Sequence, residues 1–103
     1  MTTFHIDPDI RKAETLPAEF YTRDDVFAAS KDLVFSKSWQ WVGHAPTQLP
    51  QNGSVAPITL LCGMIDEPLL LSRQPDGEMR CLSNVCTHRG KLLVAEPGKS
   101  RQL

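Results

Sequence analysis

Gln74-Pro75-Asp76-Gly77 separates two short apolar runs, residues 68–73 and 78–83. Pro presets φ at the first turn position, Asp can bond back to its own backbone, and Gly supplies positive φ. Two strand-like runs joined by so short a turn are expected to pair as an antiparallel hairpin. The same rhythm runs back through the chain. Residues 55–61 form another strand-length run, interrupted near its start by Pro57. It is preceded by the turn Leu49-Pro50-Gln51-Asn52-Gly53 and followed by a turn over 63–67. Residues 39–42, Trp-Gln-Trp-Val, are aromatic and β-branched and predict a first strand ended by Gly43-His44. Short strands at this spacing predict a small antiparallel sheet or barrel.

Upstream the period changes. Val26, Phe27, Ala29, Ser30, Leu33 and Val34 recur at spacings of three and four, predicting one amphipathic helix over about 23–36. Thr22 is the expected N-cap, with Asp24 and Asp25 in the first turn, where the helix dipole favours anions. Asp7-Pro8 and Leu16-Pro17 disfavour helix before it, so residues 1–16 are expected to be an irregular arm. The fold class is therefore mainly β: a small antiparallel domain over 38–103, preceded by an arm and one α-helix over 1–37. After Asn84 the pattern is lost, although residues 101–103 could begin another strand.

A net charge of −1, with lysines and arginines scattered, gives no basic face for nucleic acid or an anionic membrane. The longest apolar runs, 58–62 and 68–71, fall far short of the about 20 residues a spanning helix needs. The N-terminal sequence has no apolar core of a signal peptide, so a soluble, cytoplasmic protein is expected. Three cysteines without such a signal argue against a disulfide framework. Cys62 and Cys81 lie in apolar runs and are expected to be buried small hydrophobes.

Cys86 differs. In Cys86-Thr87-His88-Arg89-Gly90 a thiol and an imidazole lie two residues apart on a loop. Both are ligands suited to zinc, copper or an iron–sulfur cluster. Gly90 permits positive φ, and Arg89 adds positive charge nearby. Two donors rarely complete a metal site, and no other Cys has a His two or three positions after it. The remaining candidates have simpler explanations. Pro97-Gly98-Lys99-Ser100 lacks the upstream Gly of a phosphate loop, because Leu93 stands there, and Gly98 is expected in a turn. His5 and His44 are expected at the surface. Asp24-Asp25 suits a helix start and Asp66-Glu67 a solvated turn. Trp39 and Trp41 would share one side of a strand, in a packed core or a domain interface.

The whole stretch DEPLLLSRQPDGEMRCLSNVCTHRG resembles the N-terminal part of the large subunits of Rieske-type aromatic ring-hydroxylating oxygenases. LPAEFYTRDDVFAASKDLVFSKSWQWVGHAPTQLP resembles the arm and helix just upstream of that domain. The resemblance implies that Cys86 and His88 ligate a Rieske [2Fe–2S] cluster, one on each iron. The family's second pair, Cys-x-x-His, would fall just past Leu103, so half of the ligand set is expected to be missing here. The resemblance further implies a mononuclear Fe(II) in a catalytic domain absent from these residues, so no catalytic residue is assigned and the chain alone is not expected to be competent. It implies an NAD(P)H-fed ferredoxin or flavin reductase as electron donor, a homotrimer, and O₂-dependent hydroxylation of a substrate. Two other readings stay open: a standalone Rieske ferredoxin-type electron carrier, and a structural metal or interaction module completed by a partner chain's ligands.

Overall fold

The computed structural model describes residues 3–100 and divides the chain into two compact units, Met1–Gln40 and Trp41–Leu103.

In the first unit an irregular arm leads to two short helices, α1 (Ala18–Thr22) and α2 (Asp24–Leu33), and a 3₁₀ turn at Phe35–Lys37. Phe4 of the arm meets Phe20 of α1 edge-to-face, with ring centroids 5.3 Å apart, and Phe20 meets Tyr21 in the same way at 5.2 Å. The single expected helix over 23–36 is thus broken at both ends. Thr22 is not its N-cap. It closes α1, and its hydroxyl donates to the Ala18 carbonyl. Arg23, extended at φ −84° and ψ 131°, separates the two helices. Asp24 and Asp25 do occupy the first turn of α2. At the other end Val34 leaves helical geometry, at φ −122° and ψ −67°. Ser36 and Ser38 there donate to the carbonyls of Asp32 and Val34. Hydroxyls that bond backbone carbonyls offer the chain an alternative to continuing the helix. Val26 is the buried residue of α2, while Phe27, Leu33 and Val34 are exposed.

The second unit is built on a four-stranded antiparallel sheet. The strands are β1 (Ser54–Leu60), β2 (Glu67–Arg73), β3 (Met79–Ser83) and β4 (Gly98–Lys99), in the order β3-β2-β1-β4. β2 and β3 are the hairpin predicted from Gln74-Pro75-Asp76-Gly77. The Gln74 N–H donates to the Glu78 carbonyl at 2.7 Å, and the Gly77 N–H to the Gln74 carbonyl at 2.9 Å. The Asp76 carboxylate accepts from the Glu78 N–H, and Gly77 has φ +93°. β1 and β2 run side by side over six register pairs, from Val55 opposite Ser72 to Leu60 opposite Glu67. Pro57 does not break β1 but stands within it, opposite Leu70. On the other side β1 pairs with β4 only at Ser54 and Val55. A residue without an N–H is tolerated where the ladder has no neighbour on one side.

Before the sheet lies a one-turn helix that the sequence did not suggest, α3 (Ala45–Gln48), with Pro46 in its first turn. First-turn N–H groups have no intrahelical partner, so Pro is accepted there. The turn delivers Leu49, 3% exposed, against Ala56 and Leu71, with Val42 and Ile58 packed beside them. One residue along β2, Leu70 is fully buried between Pro57 and Leu82.

Other expectations are corrected. Residues 39–42 are not a strand: among the described residues they take no place in the sheet's ladders, and a strand needs a ladder partner for its backbone groups. Trp39 and Trp41 are not core residues, being 101% and 84% exposed. Cys62 and Cys81 are exposed, not buried. Cys62 follows Leu61, which turns the chain at φ +46°, and Cys81 lies on β3, an edge strand whose five residues are all exposed. Gly98 is not in a turn but in β4, opposite Val55. Residues 101–103, where a further strand was expected to begin, lie outside the described residues.

Candidate metal centre

β3 ends at Ser83, and the chain immediately makes a second hairpin, one residue wider at its turn than the first, that carries Cys86 and His88. The Cys86 N–H donates to the Lys91 carbonyl at 2.7 Å, and the Gly90 N–H to the Cys86 carbonyl at 2.9 Å. One step further out Val85 and Leu92 form an antiparallel bridge. Gly90 turns the chain at φ +64°, a conformation that costs a residue with a Cβ. A Cβ built there meets nothing within 4 Å, so the tip is open on that side.

Asn84 anchors this loop. Its side chain is among the most deeply buried in the protein, with the residue 2% exposed. Nδ2 donates to the Val94 carbonyl at 2.7 Å, and Oδ1 accepts from the Val94 N–H at 2.9 Å. Its own N–H donates to the Pro68 carbonyl of β2 at 2.9 Å, and its carbonyl accepts from the Leu93 N–H at 3.3 Å. The loop is therefore closed at its base by one side chain and tied to the sheet by that residue's backbone. Sequence reasoning missed this role. Asn at the end of a strand signals a turn, and nothing in its neighbours distinguishes a buried staple from a solvated turn residue.

The tip is graded in exposure. Cys86 is half-buried, whereas Thr87, His88, Arg89, Gly90 and Lys91 are exposed. Among the described residues, no three or more His, Cys, Asp or Glu side chains gather in a way that could hold a metal ion. Cys62 and Cys81, both exposed, do not complete a set. His44 and His5 are exposed, as expected, and the His44 ring makes a 3.0 Å hydrogen bond with the Thr47 hydroxyl at the start of α3. The Asp66 carboxylate caps its own turn by accepting from the Gly63 N–H.

The donor chemistry fits half of one kind of site. A thiolate and a neutral imidazole are the two ligand types that a Rieske [2Fe–2S] centre combines, and two of each are required. Here one of each lies on a loop held by backbone hydrogen bonds. An antiparallel sheet that carries a Cys and a His on one Gly-terminated hairpin is a β domain with the chemistry for half of such a site. Residues 38–103 match the Rieske [2Fe-2S] domain, and the chain belongs to that family. Domains of this family hold a [2Fe–2S] cluster.

Known relatives agree. The chain is 36% identical over 93 residues to the carnitine monooxygenase oxygenase subunit of Escherichia coli (strain K12), covering 90% of this chain and 24% of that one. It is 35% identical over 79 residues to the large oxygenase component of the naphthalene 1,2-dioxygenase system of Pseudomonas aeruginosa, covering 76% and 16%. Among solved structures, the apo form of a quaternary ammonium Rieske monooxygenase superposes with a TM-score of 0.71 at 35% identity, covering 86% of this chain and 24% of that one. The chain thus spans about a quarter of the length of the first of these relatives, and it corresponds to the Rieske portion of oxygenase α subunits. No helix among the described residues is long and apolar enough to cross a membrane.

Proposed function

We propose that Cys86 and His88 are two of the four ligands of a Rieske [2Fe–2S] cluster in an oxygenase α subunit. In this reading the remaining Cys-x-x-His pair lies on polypeptide outside these 103 residues, which themselves contain no such pair. The observation that carries the reading is the hairpin itself: a half-buried thiol and an exposed imidazole on one loop, stapled at its base by Asn84. Bound there, a [2Fe–2S] cluster supplies one-electron transfer. Cys86 holds the inner side of the site. His88 is the exposed member of the pair, so a redox partner meets the site on its side.

The working protein would take electrons from an NAD(P)H-fed reductase or ferredoxin and use them for O₂-dependent hydroxylation at a mononuclear iron in a separate catalytic domain. A homo-oligomer, a trimer in our reading, accords with the inter-subunit electron transfer ascribed to the carnitine-oxidising relative. The substrate is not written in this segment. Oxygenases of carnitine, methanesulfonate, naphthalene and biphenyl resemble it at 29–36% identity, so the segment does not separate them. A standalone ferredoxin is disfavoured, because the oxygenase similarity runs over up to 97% of the chain, beyond the cluster domain.

The test is iron and acid-labile sulfide content, with electron paramagnetic resonance of the reduced protein, on the native polypeptide purified without oxygen. The expected reduction potential lies in the Rieske range, about −150 to +300 mV. Cys86→Ser and His88→Ala should each lose the cluster. His88→Cys, if it retains iron, should fall toward the about −400 mV of all-cysteine clusters. A wild-type protein without iron, or a Cys86→Ser variant with undiminished iron, would refute the assignment.

A further inference from the structure

We infer that Asn84 is a positioning residue of the cluster site, one that sets the span of the ligand loop and so decides how firmly iron is held and at what potential. The inference rests on the assignment of Cys86 and His88 as ligands. All four polar atoms of Asn84 are used: N toward Pro68, O toward Leu93, and Nδ2 and Oδ1 both toward Val94. The two side-chain bonds act on one peptide position, the N–H and carbonyl of Val94, so the side chain behaves as a strand partner ten residues away. That fixes the distance across the base of residues 85–93. Cys86 is two residues from the staple, and the Cys86–Lys91 and Cys86–Gly90 bonds complete the loop above it.

Burial makes the staple firm. Asn84 is 2% exposed, so water does not compete for its amide. Removing it leaves the N–H and carbonyl of the half-buried Val94 without these partners, and polar groups partly shielded from water carry a desolvation penalty when unpaired. The loop then opens at its base, where Cys86 takes its direction. Groups outside a metal's own ligands that orient them typically change metal affinity or activity by about 10–100-fold when removed.

Asn52 supplies a control. Its Nδ2 donates to the Pro75 carbonyl at 3.0 Å, across 23 residues, so it also staples one loop to another by a side chain. Asn52 is exposed and serves a different turn. A merely structural role for Asn84 predicts that the two asparagines behave alike once stability is matched.

The experiment compares Asn84→Ala and Asn52→Ala in the cluster-loaded native polypeptide. The readouts are the half-life of iron loss to a chelator, the line shape and nitrogen coupling of the reduced cluster, the reduction potential, and amide exchange of Cys86 and Gly90 in the iron-free protein. Asn84→Ala should lose iron at least about tenfold faster, broaden the spectrum and speed exchange at both amides, whereas Asn52→Ala should leave all four readouts within about twofold. If Asn84→Ala does not fold, Asn84→Asp replaces it: it keeps shape and the Oδ1 acceptor but loses the donor to Val94. Indistinguishable behaviour of the Asn84 and Asn52 variants would overturn the inference while leaving the ligand assignment intact. A wild-type protein that takes up no iron would overturn the ligand assignment, and the amide exchange would still show whether the staple holds the loop.

Discussion

Replacing Gly90 with Ala isolates one physical term. Gly90 sits at φ +64° at the end of the ligand loop, and its N–H donates to the Cys86 carbonyl. A Cβ there meets no atom within 4 Å, so no steric clash contributes. What remains is the backbone. Left-handed geometry costs an L-residue about 1–2 kcal/mol. Against this, Ala restricts the unfolded chain and returns about 0.4–1 kcal/mol. The net expectation is about 1 kcal/mol of destabilisation, confined to the loop. Because 1.4 kcal/mol is about a factor of ten, the Cys86 amide, bonded to Lys91 across the loop, should exchange about fivefold faster. Gly98→Ala is the counterpart. Gly98 lies in β4 without positive φ, and its Cβ also meets open space, so this variant should be neutral or slightly stabilising. The assay is native-state hydrogen exchange read by NMR, with urea unfolding alongside. Unchanged exchange at Cys86 in Gly90→Ala, or equal acceleration in Gly98→Ala, would refute the conformational argument. A loss above about 3 kcal/mol would show that the loop is packed against something the open tip does not reveal.

Two further expectations concern the scaffold. Leu70→Ala empties a fully buried position between Pro57 and Leu82; because Leu82 is itself 37% exposed the site can partly collapse, and a loss of about 2–3 kcal/mol in urea unfolding is expected, with less than about 1 kcal/mol counting against a core role. The Asp25 carboxyl is held below its ordinary 3.8 by the Arg23 guanidinium that hydrogen-bonds it, so the pair's small contribution is present above the ordinary aspartate range and is lost as pH falls through the lowered value. Carbon-13 titration of Asp25 should show the lowered midpoint and its return toward 3.8 in Arg23→Ala; an Asp25 midpoint that ignores the substitution would exclude the pair in solution.

Parts of this architecture are written locally. The β2–β3 hairpin was legible because Pro75, Asp76 and Gly77 each perform their turn role within four residues, and the flanking runs then have one way to pair. β1, β2 and β3 begin and end within about a residue of their predicted limits for the same reason. The Cys86-x-His88 loop was legible because ligand chemistry and a positive-φ glycine lie within five residues. Residues 39–42 mark the boundary of this reasoning. Alternating tryptophans look like a strand from any single segment, yet a strand exists only where another edge receives it, and β3 and β4 form the edges here.

What required the tertiary structure depends on partners distant in sequence. β4 is two residues long and draws its definition from Ser54 and Val55, more than forty positions earlier. The exposure of Cys62 and Cys81 follows from a turn and an edge strand, not from their apolar neighbours. Asn84 is the sharpest case, since its amide matters only because Val94 is folded back to meet it. The turns, the strand-length runs and the Cys86-x-His88 spacing are properties of the sequence alone, because they rest on backbone conformation and residue chemistry within a few positions. Which strands are edges, which cysteines are exposed and what holds the Cys86–His88 loop closed come from the fold, because burial and pairing are properties of two segments at once.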